Sequence, residues 1–262
     1  MLRYFEHSQV YHPQRQLDAH GSALGRAWED VRFQTSDGLT LHGWFFPASN
    51  SPNSRLAVLL CHGNGGNISH RLDLYDALLR TGVHVLTFDY RGYGGSDGRP
   101  SENGTYLDAA AALAWLRGRG FGAANVIVMG ESLGGGVASE LASREPLAGL
   151  ALLSSFTSVP DLGAEFFPWL PVRWLANIRY DTRSRLPGLT MPVLIMHSRN
   201  DGIIGFHHAE KNFEAARNPK MFAELTGTHN EPLRDPERFV SAMREFLEKI
   251  LSPAASPVAD PQ

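Results

Sequence analysis

The chain has 262 residues, 43% of them hydrophobic and 19% charged, the proportions of an ordinary folded protein and not of a disordered, collagenous or coiled-coil one. Its 24 basic and 27 acidic side chains leave a net charge of −3 with no long run of either sign, which excludes the basic footprint needed to hold a phosphate backbone, so nucleic acid is not an expected partner. A single cysteine, Cys61, excludes an intramolecular disulfide and any cysteine-built zinc or iron–sulfur centre, and it suits a cytoplasmic protein.

Residues 1–30 are polar, are broken by Tyr11-His12-Pro13, and read as an irregular lead-in. Arg3, Glu6 and His7 interrupt the first ten residues, so no signal-type apolar stretch is expected there, and no 18-residue apolar run suggests a spanning helix. Residues 31–251 read as one domain. It opens with strand-like runs at 31–36 and 39–46 flanking Asp37-Gly38, a dipeptide suited to a tight antiparallel hairpin. Residues 56–61 are continuously apolar, as expected of a parallel strand covered on both faces.

From there strand and helix alternate: an amphipathic helix at 68–80, a strand at 83–88, an alanine-rich helix at 102–117, a strand at 126–129, a helix at 133–144 and a strand at 147–153. The order predicts right-handed crossovers and a parallel sheet with helices on both faces. Residues 154–190 break the rhythm with crowded aromatics and prolines and read as an irregular cap insertion. Regular order resumes with a strand at 193–196, a helix at 207–216, a strand at 221–225 and a helix at 236–251. The tail, 252–262, carries three prolines and is expected to be disordered.

The pattern G-x-S-x-G occurs twice. Gly94-Gly95-Ser96-Asp97-Gly98 lies in a loop and is followed by Arg99-Pro100, so no helix can start after Ser96. Gly130-Glu131-Ser132-Leu133-Gly134 follows a strand directly and runs into a helix, the context that lifts a serine Oγ above the sheet edge. Ser132 is therefore the candidate nucleophile. Such a serine needs a base, and the base an orienting acid, in the chain order Ser, Asp, His. Asp201 follows the 193–196 strand by a short loop, and His229 follows the 221–225 strand. Of the eleven histidines, His62 precedes a glycine loop, His207 and His208 open a helix, and His197 reads as a hydrogen-bonded core residue. The remaining loop, His62-Gly63-Asn64-Gly65-Gly66-Asn67, fails the dinucleotide fingerprint, whose third glycine would fall on Ile68, and lacks the G-K-[ST] of a P-loop. It reads instead as an oxyanion loop, with the Asn64 amide acting beside that of Leu133. Phe156, Phe166, Phe167 and Trp169 are the candidate lining of an acyl pocket under the cap.

These stretches together resemble the α/β-hydrolase superfamily from Val31 to Leu251. Within it, His62-Gly63-Asn64-Gly65-Gly66-Asn67, Asp89-Tyr90-Arg91-Gly92-Tyr93-Gly94-Gly95-Ser96 and the motif around Ser132 are similar to the Bem46-like group of serine hydrolases. The resemblance implies an α/β-hydrolase fold with a mostly parallel eight-stranded sheet, a short cap, a Ser-Asp-His triad and an organising role for Arg91. It also implies relatives that are thioesterases removing fatty acyl groups from proteins. Ser198 and Gly205 depart from the group's usual glycine and proline. The expected function is hydrolysis of a small-molecule ester through an acyl-enzyme, without metal or organic cofactor. A thioesterase using the same residues is the alternative, and a non-catalytic ligand-binding module the third reading.

Overall fold

The structure, a computed structural model, describes residues 2–48 and 51–252. The tail expected to be disordered lies, apart from Ser252, outside the described residues.

Eight strands form one sheet: β1 (Glu29–Gln34), β2 (Thr40–Phe46), β3 (Ala57–Cys61), β4 (His84–Phe88), β5 (Val126–Glu131), β6 (Gly149–Leu153), β7 (Val193–Ser198) and β8 (Lys220–Leu225). Their spatial order is β8-β7-β6-β5-β3-β4-β2-β1. Pairing is parallel from β8 to β4, and antiparallel for β4–β2 and β2–β1, where Val31 faces Gly43. The Asp37-Gly38 turn closes the opening hairpin, with Gly38 at φ +85° where a side chain would be strained. Arg91 ties this hairpin to the domain through ion pairs with Asp37 and the buried Asp108.

The continuous apolar runs are explained by burial on both faces. Leu59 and Cys61 of β3 pack with α3 (Glu102–Gly118), α4 (Leu133–Arg144) and α8 (Phe206–Ala215), while Val58 and Leu60 pack with α2 (Leu72–Leu79) and α9 (Pro236–Leu251). Because successive side chains of a strand point to opposite faces, one strand feeds both cores.

Two expectations need correction. The lead-in is not irregular: α1 (Leu2–Val10) is helical, and His12–Pro13 pairs in parallel with Gly65–Gly66. Its polar composition hid this because its anchors are distant. Glu6 accepts the amides of Asn177 and Ile178 at 2.7 and 2.8 Å, and Asn64 Nδ2 donates to the Val10 carbonyl at 3.1 Å. The cap is not irregular either, since it holds α5 (Val159–Phe166), α6 (Val172–Leu175) and α7 (Thr182–Arg185). Ser158 caps α5 by accepting the Asp161 amide, and Pro160 stands in the first turn, where its missing N–H costs nothing.

Candidate active site

All the parallel strands of the sheet point their C-terminal ends at one rim, and each candidate catalytic residue follows such an end. Ser132 joins β5 to α4 at φ 52°, ψ −116°, a backbone conformation that L-residues avoid. The turn demands its glycines. A Cβ on Gly130 would lie 2.3 Å from the Gly134 carbonyl oxygen, and one on Gly134 would lie 2.0 Å from that of Cys61.

Ser132 Oγ stands 3.1 Å from His229 Nε2, and His229 Nδ1 stands 2.7 Å from Asp201 Oδ2. The other Asp201 oxygen accepts the amides of Ile203 and Ile204 at 2.9 and 2.8 Å. Burial alone would raise the Asp201 pKa. Hydrogen bonds from His197, His229 and the Ile204 amide outweigh it and hold the carboxyl well below the usual carboxylate range. His197 is buried as expected and donates to the Ile204 carbonyl at 2.8 Å. Its Nε2 also lies 3.4 Å from Asp201 Oδ2, so this core histidine supports the candidate acid, a contact its place in a strand did not reveal. Ser198, one of the two departures from the resembled group, donates to the Gly227 carbonyl at 2.7 Å and joins the acid loop to the histidine loop.

The loop after β3 is held from several sides. His62 Nδ1 donates to the Gly63 carbonyl at 2.7 Å, which turns the N–H of the same peptide, that of Asn64, the opposite way. Tyr93 donates its hydroxyl to the Asn64 carbonyl at 2.9 Å. Asn64 and Leu133 both line the cavity beside Ser132, and neither amide has a hydrogen-bond partner among the described residues. Beneath them, Glu131 accepts the Gly63 amide at 3.2 Å and Arg71 Nε at 3.0 Å. Burial pushes the Glu131 carboxyl up, but the charge and hydrogen bond of Arg71 more than offset this. Sequence reasoning passed over both residues: Glu131 is the variable centre of its motif, and Arg71 looks like any helix-start arginine.

The cavity measures about 950 Å³. Phe156, Phe166 and Phe167 line it, together with Phe5 and Val10 from α1. Trp169 does not. The chain reverses after α5, with the Leu170 amide bonded to the Phe167 carbonyl, so Trp169 sits at the tip of the turn, 74% exposed, against the outer edge of Phe167.

Ser96, in the second copy of the motif, is fully buried. It accepts the His42 amide and donates to the Asp89 carbonyl, a structural bond consistent with its loop setting. Glu165, His207 and His208 cluster between cap and α8. The Thr157 amide donates to His208 Nδ1 at 3.1 Å, so the ring proton resides on Nε2, 3.2 Å from Glu165 Oε1. A protonated nitrogen offers a metal no lone pair, and the cluster pins the cap to α8 through the His207 Nε2–Glu165 hydrogen bond at 2.8 Å.

Among known proteins, the family model for the alpha/beta hydrolase fold matches residues 57–183. The Arabidopsis thaliana alpha/beta hydrolase domain-containing protein WAV2 is 32% identical over 251 residues, which span 86% of this chain and 80% of that protein. The rat lysophosphatidylserine lipase ABHD12 is 32% identical over 77% of this chain and 57% of its own length. A solved structure of a Pyrococcus furiosus esterase superposes with a TM-score of 0.74 at 21% identity, covering 92% of this chain and 98% of that one. The chain belongs to the alpha/beta hydrolase family. Among the described residues no helix is long and apolar enough to cross a membrane.

Proposed function

We propose that this chain is a serine esterase acting on carboxylic esters with an apolar acyl chain. His229 Nε2 takes the Ser132 proton as Oγ attacks the ester carbonyl, and the resulting oxyanion lies against the Asn64 and Leu133 amides, each such donor contributing about 3 kcal/mol. The tetrahedral adduct collapses as His229 returns the proton to the departing alcohol, leaving Ser132 acylated. Water, deprotonated by the same imidazole, then releases the acid. Asp201 keeps the His229 proton on Nδ1 and stabilises the imidazolium that forms in each half-reaction.

The observation that carries this reading is the continuous Ser132–His229–Asp201 hydrogen-bond chain, at 3.1 and 2.7 Å, on the wall of a cavity lined by phenylalanines. The lipase relative is in accord with an acyl substrate. A fluorophosphonate probe should label the protein once, at Ser132. Equal labelling of Ser132→Ala, or no turnover of any p-nitrophenyl ester by a folded protein, would overturn the proposal.

A further inference from the structure

Exposed large apolar side chains are concentrated in one place. Of those among the described residues, all but Leu107 lie on α1, on the cap or just after Asp201. Tyr4 and Trp174 are 82% and 90% exposed, more than any core-packing role needs. Those from Phe5 and the inner side of the cap adjoin one another and the cavity. Phe5 meets Phe167 edge-on at 6.2 Å, Phe167 meets Trp169 at 5.9 Å, and Phe5, Phe166 and Ile203 line the cavity while remaining exposed at its mouth. On the single turn of α6, Val172 and Leu175 face the cavity while Trp174 projects outward.

We propose that this rim is a docking surface for a lipid layer, from which substrate enters the cavity directly. The inference rests on the acyl-ester reading of the same site. A rigid protein or a second copy seated on the rim would stopper the entrance it surrounds, whereas a fluid lipid layer both covers the rim and supplies molecules through it. Aromatic side chains with a polar edge, tyrosine and tryptophan, suit the boundary between acyl chains and head groups. Charge agrees. Arg173, Arg179 and Arg183 lie together on the outer flank of the cap, and Arg179 and Arg183 have no carboxylate partner among the described residues. Asp161 is paired with Arg173, and Asp181 in the same cleft accepts the Ser184 amide, so Arg179 and Arg183 outnumber the one remaining carboxylate there. The flank therefore favours anionic head groups.

The test is co-sedimentation of the full chain with phosphatidylcholine vesicles, with and without phosphatidylglycerol. The expected result is binding that strengthens with the anionic lipid, with a blue shift of tryptophan emission. Trp169→Ser combined with Trp174→Ser, at positions outside the cavity wall, should weaken binding about tenfold, leave hydrolysis of a short soluble ester unchanged, and slow hydrolysis of a long-chain ester carried in the vesicles. Wild-type protein that stays in the supernatant with both vesicles, or a double variant that binds as wild type, would overturn the proposal. So would a lipid-free dimer that the double variant abolishes. Ser132→Ala should bind vesicles normally while losing hydrolysis; wild-type protein that binds vesicles but turns over no ester counts against the esterase reading alone.

Discussion

Replacing Asp201 by asparagine tests the proposed relay at its least exposed member. The side-chain oxygen that accepts the Ile203 and Ile204 amides is retained, so the acid loop keeps its hydrogen bonds. At the other position an NH2 group replaces the oxygen 2.7 Å from His229 Nδ1, setting donor against donor. The imidazole escapes by placing its proton on Nε2, the atom facing Ser132 Oγ, and then cannot take the serine proton. A tautomer error of this kind costs about 10⁴ in kcat, equivalent to about 5 kcal/mol of transition-state stabilisation. The assay is steady-state hydrolysis of p-nitrophenyl butyrate alongside thermal melting. The expected variant melts near the wild type, keeps its KM and loses about four decades in kcat. A folded variant that loses less than about tenfold would refute both the acid assignment and the tautomer argument.

Ser132→Gly should abolish turnover yet raise stability by about 1 kcal/mol, because glycine tolerates the φ of 52° that strains serine; Tm should rise by about 3 °C. Burial, reinforced by the charge of Arg71, depresses the His62 pKa from 6.5 to about 4. The unfolded chain therefore takes up this proton first as pH falls, and about 3 kcal/mol of stability present above pH 6.5 is lost on the way to pH 4. Urea midpoints across that window should fall more steeply for wild type than for His62→Gln. Arg71→Met leaves the Glu131 carboxylate without its cation and should destabilise by about 3 kcal/mol, with much of the loss recovered in Arg71→Met/Glu131→Leu; equal urea midpoints for Arg71→Met and wild type would contradict this. Across p-nitrophenyl esters, kcat/KM should rise up to about fourfold per added methylene until the cavity is filled, since each buried CH2 contributes about 0.8 kcal/mol; a flat series would argue against the acyl cavity.

Local pattern alone determined the parallel core, the strained strand-to-helix turn at Ser132 and the chain order of the three candidate catalytic residues. Apolar runs, glycine spacing and strand-to-helix transitions each depend on residues a few positions apart, and backbone sterics make the same demands wherever they occur. Tertiary structure alone decided what surrounds those residues. It brought α1 against the cap across some 170 positions, placed His197 beside Asp201, set Arg71 and Glu131 under the Gly63 amide, and turned Trp169 outward where composition had suggested a pocket wall. These outcomes depend on distances between segments remote in the chain, which side-chain periodicity within any one segment does not encode.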